Sequence, residues 1–184
     1  MEARQPAYLS PEDYLLQEQT SPIKHEYVDG DVFAMAGTTK THNTIALNIA
    51  SLLIPAARQR QCRVYASDVN LRAHSHAFYY PDVMVVCQES QDNYIQESPC
   101  VLIEIISSHS VRTDKHEKRL AYLNLPSVTL YLLVDSRKAW IKGYYRTVEG
   151  WQEQLFEPKA GISIPCVDVQ LSFSDVYLQT ELAL

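Results

Sequence analysis

Two runs, Val83-Met84-Val85-Val86-Cys87 and Val101-Leu102-Ile103-Glu104-Ile105-Ile106, are apolar at nearly every position. A strand with one wet face alternates polar and apolar residues, so unbroken runs like these belong to central strands covered on both sides. Such a sheet needs helices over it, and helical periodicity is present. Ile45, Ile49, Leu52 and Leu53 recur at helical spacing from His42 to about Arg60, with Pro55 expected to kink or shorten the helix. A second helix is expected near Arg112–Leu125, closed by Pro126.

The other elements follow from local signals. Ser10 is placed to cap a helix that begins at Pro11, with Glu12 and Asp13 at the positive end of its dipole. Asp29-Gly30, between the runs 25–28 and 31–35, is a strong hairpin signal. Strands are expected at Cys62–Leu71, Tyr79–Cys87, Cys100–Ser107, Leu130–Asp135, Ala139–Arg146 and Gly150–Phe156, then a short helix near Ser174–Gln179. The order predicts an α/β fold, a mixed β-sheet flanked by α-helices, with an N-terminal helix and hairpin. With five glycines in 184 residues and no low-complexity tract, no linker is expected. The expectation is a single domain over residues 1–184, its core roughly 8–150 and a C-terminal extension over 151–184.

Against this background two carboxylates are out of place. Asp82 follows Pro81 and opens the first apolar run, and Glu104 lies inside the second. Ionised carboxylates seldom sit among apolar neighbours unless paired or coordinating a metal. At a shared sheet edge they would make a hard-oxygen site suited to Mg²⁺ or Mn²⁺. The competing reading makes Asp82 a turn cap and pairs Glu104 with Arg112 or Arg119. Lys118, on the following helix with Lys115 at i−3 and Tyr122 at i+4, is placed to bring an ammonium to the acids or to remain a solvated lysine. Glu26, ahead of the Asp29-Gly30 turn, says little alone.

Charge and cysteine usage narrow the classes. Acids outnumber bases 22 to 16, for a net charge of −6, which excludes a general basic coat for nucleic acid. Locally, residues 58–72 hold four Arg against one Asp, residues 109–119 four bases against two acids, and residues 82–104 five acids without Lys or Arg. An acidic centre flanked by basic segments suits a polyanion positioned over bound metal. Cys62, Cys87, Cys100 and Cys166 are scattered without a CxxC pair and are expected to be reduced, mostly buried thiols. His74 and His76 read as a solvated loop. No run suits a membrane span and the N-terminus lacks a signal-peptide core, so the expectation is a cytoplasmic chain.

The chain also carries, in order, Tyr8-Leu9-Ser10-Pro11-Glu12-Asp13-Tyr14, His25-Glu26-Tyr27-Val28-Asp29-Gly30-Asp31-Val32, His42-Asn43, Tyr80-Pro81-Asp82-Val83, 101–107, 114–122 and Tyr131-Leu132-Leu133-Val134-Asp135. At these residues it resembles the restriction-endonuclease-like family of bacterial proteins within the PD-(D/E)XK nuclease superfamily, over roughly residues 8 to 150. The resemblance implies a restriction-endonuclease-like core and Mg²⁺-dependent hydrolysis of DNA phosphodiester bonds. It implies metal ligation by Asp82, Glu104 and the backbone carbonyl of Ile105, with Glu26 as the acid contributed ahead of the core strands. The superfamily's lysine, expected two residues after Glu104, is replaced by Ile106, and Lys118 is the family's substitute. A homodimer is expected because cutting two strands takes two sites. The alternatives are a catalytically inactive nuclease fold that binds DNA or protein, and a scaffold whose acids are paired with arginines.

Overall fold

The computed structural model describes residues 8–107 and 112–183. The elements in chain order are α1 (Pro11–Glu18), β1 (His25–Val28), β2 (Asp31–Ala34), α2 (Lys40–Gln59), β3 (Arg63–Ala66), β4 (Asn70–His74), β5 (Ala77–Tyr79), β6 (Val83–Val86), β7 (Ile95–Gln96), β8 (Pro99–Ile106), α3 (Arg112–Asn124), β9 (Leu130–Asp135), β10 (Ile141–Thr147), β11 (Gly150–Phe156), β12 (Ile162–Ile164), β13 (Val169–Leu171) and α4 (Phe173–Val176). The two acid-bearing runs are the interior strands β6 and β8 of a six-stranded sheet ordered β11-β10-β9-β8-β6-β3. Both are buried along their length, apart from a half-buried Glu104. Strand β8 runs parallel to β9, and α3 makes the crossover between them that a parallel pair requires.

Helices and small elements cover both faces. Ile45, Ile49 and Leu53 of α2 share a core with Val83, Val85, Val101 and Ile103, and with Phe173 and Tyr177 from the C-terminal segment. On the other face, Ala121 and Tyr122 of α3, and Leu125 just after it, pack with Met84, Leu102, Tyr131 and Tyr144. Alternation along each strand therefore sends its side chains to two different helices. Pro55 does not shorten α2. It is exposed, so the Ser51 carbonyl deprived of its helical donor lies on the wet side, and the helix runs on to Gln59.

Two expected strands are each broken in two. Residues 62–71 divide into β3 and β4 and residues 79–87 into β5 and β6, and in both cases the chain passes from one sheet to another. The second sheet has five strands, β2-β1-β5-β4-β7. The crossings meet at one seam, where the Ser67 amide donates to the carbonyls of Pro81 and Asp82, each at 3.2 Å. Hydrophobic pattern alone does not reveal such a crossing, because the side chains stay buried through it. The mixed sheet of the sequence reading is thus two sheets, plus a β12-β13 pair.

The cysteine expectation is corrected. Cys62 is joined to Cys87 and Cys100 to Cys166, leaving no free cysteine among the described residues. Register explains the first pair: Arg63 faces Val86 in the β3–β6 ladder, so the next residues outward, Cys62 and Cys87, meet. Separations of 25 and 66 residues concealed both proximities. His74 ends β4 and His76 lies in the following turn; both are exposed, as expected of a loop.

Candidate active site

Asp82 and Glu104 come together because of strand register. The β6–β8 ladder pairs Val83 with Ile103, and one step outward sets Asp82 opposite Glu104. Directly opposed residues lie on the same face of a sheet. Asp82 Oδ2 also accepts a 2.7 Å hydrogen bond from the Ile105 amide, which fixes its carboxylate at the end of β8. Pro81 withholds an N–H at this point, which suits the end of a strand where the ladder stops.

The two sheets and both long helices contribute to the seam. Glu26 enters from β1, nearly buried, and its Oε1 accepts from the Tyr80 amide at 3.2 Å. Lys118 comes from α3, 9% exposed, and donates to Glu26 Oε1 at 2.7 Å while lying 3.7 Å from Glu104 Oε1. Its ammonium also faces the Tyr79 ring, 5.6 Å from the centroid. Tyr122, one turn further along α3, donates its hydroxyl to the same Glu104 oxygen at 2.7 Å. The i, i+4 spacing of Lys118 and Tyr122 puts both over Glu104. Ile106 is buried, so no cation extends from β8 itself at that position.

Burial drives the electrostatics. It pushes the Glu104 carboxyl up to about 8; Lys118 opposes the rise, whereas Asp82 and Glu26 add to it. Burial and the neighbouring Glu104 raise the Tyr122 phenol well above its ordinary range. Negative charge is therefore in excess of what Lys118 neutralises. The carboxylate oxygens are hard donors, and a divalent cation among them would supply the missing compensation. Among the described residues, the set of three His, Cys, Asp or Glu ligand atoms lying within 4.8 Å of one another is made of sulfur, not of these oxygens. The acids are therefore more widely spaced than a closed three-ligand cage, and an ion among them would keep water in its shell, as Mg²⁺ usually does. These residues fit such an ion.

The structure adds residues to which sequence reasoning gave no role. His42, in the first turn of α2, brings Nε2 to 3.3 Å from Asp82 Oδ2, while its Nδ1 is buried without a hydrogen-bond partner among the described residues. Its backbone amide is held by the cap residue Thr39 at 3.2 Å. Glu117 also lines the site and accepts from the Tyr79 hydroxyl. His42-Asn43 was visible as a motif, but only the fold shows that α2 starts beside Asp82. The site opens into a cleft of about 950 Å³ whose walls include Phe33, Met35 and Lys24, with Ile105 at its floor beside the acids.

The arginine readings do not hold for the contacts described. Glu104 takes its cation from Lys118, and Arg119 instead donates to the Tyr144 hydroxyl at 3.3 Å. The side chains of Arg112 and Lys115 lie outside the described residues, as does His109. The arginines of segment 58–72 do not line the cleft: Arg60, Arg63 and Arg72 face Asp168, Glu89 and Glu97, at 2.9, 3.6 and 2.6 Å.

Comparison with known proteins agrees with this architecture. Residues 11–178 match the model of a family, Uma2, described as "Putative restriction endonuclease". Two uncharacterized proteins of Synechocystis sp. are similar. One, slr1290, is 27% identical over 173 residues, covering 92% of this chain and 91% of its own length. The other, sll1609, is 32% identical over 132 residues, covering 69% and 75%. A crystal structure from Anabaena variabilis, described as a "putative nuclease belonging to DUF820", superposes with a TM-score of 0.76 at 20% identity over 94% of this chain and 98% of its own. At that identity the likeness concerns the fold, which is restriction-endonuclease-like.

Proposed function

The chain belongs to the Uma2 family, whose description is "Putative restriction endonuclease", and from that premise we propose that it is a metal-dependent endonuclease hydrolysing DNA phosphodiester bonds. The observation that carries this reading is the register-opposed pair Asp82 and Glu104, half-buried and lining one cleft, with a lysine delivered from another element. We further propose residues 1–184 as a single nuclease-like domain, acting as a homodimer in the cytoplasm. No helix among the described residues is long and apolar enough to cross a membrane.

Asp82, Glu104 and the Ile105 backbone carbonyl would hold Mg²⁺, with Mn²⁺ able to replace it. An ion held there would supply a lowered pKa for water and charge neutralisation at the scissile phosphate. The protein's own groups do the rest. The Ile105 amide fixes one Asp82 oxygen and leaves the other available. Glu26 anchors the Lys118 ammonium, which is thereby a positioned donor for the attacking water or for charge developing on the phosphate. Lys118 in this way takes the place of the strand lysine that Ile106 displaces. His42 Nε2, 3.3 Å from Asp82 Oδ2, is placed to donate to that carboxylate and hold its orientation. A direct in-line attack by water needs no covalent intermediate, and no activated nucleophilic side chain is called for.

The test is nicking of supercoiled plasmid in Mg²⁺ or Mn²⁺, wild type against Asp82→Ala, with Mn²⁺ binding followed by calorimetry. Activity should fall by at least about a hundredfold, the loss of a charge-stabilising group, with unchanged circular dichroism. DNA binding without cleavage in any divalent ion would instead assign the protein to the inactive, DNA-binding alternative.

A further inference from the structure

All four cysteines of the chain converge at the end of β6 and β8 remote from the acids. They arrive from separate segments: Cys62 from the link between α2 and β3, Cys87 just after β6, Cys100 near the start of β8, and Cys166 from the turn between β12 and β13. The two disulfides are neighbours, with Cys87 Sγ 3.6 Å from Cys100 Sγ. Their surroundings differ. Cys87 is exposed, whereas Cys62 and Cys100 are buried and Cys166 half-buried. Cys62 borders an open hollow shared with Arg58 and Arg63.

We propose that these sulfurs form a thiol–disulfide relay, entered at the exposed Cys87, that opens the covalent clasp between β8 and the C-terminal segment when a dithiol reductant arrives. A thiolate of the dithiol attacks Cys87 Sγ and expels the Cys62 thiolate. The second thiol of the reductant closes its own disulfide and expels the Cys87 thiolate. That thiolate is then 3.6 Å from Cys100 Sγ, attacks it, and expels the Cys166 thiolate. One Cys87–Cys100 bond has formed, Cys62 and Cys166 have each taken a proton, and the dithiol is oxidised to its cyclic disulfide.

The product differs mechanically from the starting state. Cys100–Cys166 is the covalent clasp between β8 and the segment carrying β12 and β13, whose Ile162, Ile164 and Leu171 are buried in the α2-side core. Cys87–Cys100 ties together only β6 and β8, which are already paired. The exchange therefore opens the C-terminal clasp without lowering the number of disulfides below one. Exchangeable disulfides of this kind are compatible with a reducing compartment, where lasting structural ones are rare.

The full chain, purified without reductant, is treated with one equivalent of dithiothreitol, alkylated, and mapped by peptide mass spectrometry. The expected species has Cys87 linked to Cys100, with Cys62 and Cys166 alkylated. In parallel, Cys87→Ser, at an exposed position, should slow opening of Cys100–Cys166 at least tenfold while circular dichroism stays unchanged. Release of Cys62 and Cys87 with Cys100–Cys166 intact would overturn the relay, as would equal opening rates in the variant. Four thiols that alkylate before any reductant is added, or a stoichiometric metal held by them, would overturn it as well.

Discussion

Glu104 shows how a single residue can work against the stability of its own fold. Its carboxyl, raised to about 8 chiefly by burial, holds a proton in the folded chain over a range where the unfolded chain has released it. Between about 4.5 and 8 the folded state binds more protons, so stability should fall as pH rises through that window and level off above it. Glu104→Gln should flatten the dependence, read as Tm against pH in chelator. Adding Mg²⁺ should raise Tm more at pH 8 than at pH 5, because only the ionised carboxylate gains a ligand. A pH profile that is the same with and without the substitution would contradict the burial of this charge.

At the scale of elements, the β1–β2 hairpin sets Glu26 and the cleft wall. Its turn places Asp29 and Gly30 at φ 48° and 100°, the left-handed region that a tight hairpin turn requires. A Cβ on Gly30 would also come within 2.5 Å of the Tyr8 ring. Gly30→Ala should therefore cost about 1–3 kcal/mol, measured by urea denaturation. Because Glu26 holds Lys118, the variant should lose nicking activity in excess of its loss of folded protein. The α1 helix follows its local code: Ser10 Oγ accepts from the Asp13 amide at 3.1 Å, and Tyr14 from the same helix stacks on Tyr27 at 4.9 Å.

For the molecule as a whole, charge is distributed against broad DNA binding. The net charge is −6, and Arg60, Arg63 and Arg72 are each paired with a carboxylate. Among the described residues, Lys24 and Lys118 are the lysines that line the cleft; Lys118 is engaged with Glu26 and Glu104, and Lys24 pairs with Asp68 at the surface, where a phosphate can compete for it. Few phosphates should thus be neutralised, and the slope of log K against log salt should be shallow, about −0.9 per phosphate contacted. Lys24→Gln should reduce that slope by about 1, followed by fluorescence anisotropy of a labelled duplex in Ca²⁺. An unchanged slope would place the DNA elsewhere on the surface.

What the sequence determined by itself was local or periodic. The capped start of α1, the Asp29-Gly30 turn, the helical stripe of α2 and the buried character of β6 and β8 depend on residues within a few positions of one another, or on a repeat of two or 3.6. The misplacement of Asp82 and Glu104 among apolar neighbours was legible for the same reason. Only tertiary structure decided the rest. Strand register opposed those two acids, and a sheet-to-sheet crossing concealed in continuous hydrophobic runs brought Glu26 to them. Helix placement added His42 at Asp82, and ladder ends met to gather cysteines far apart in the chain. Each of these is a pairing of distant segments, and what specifies it is the packing of whole faces, to which no single stretch of residues contributes enough to be read in isolation.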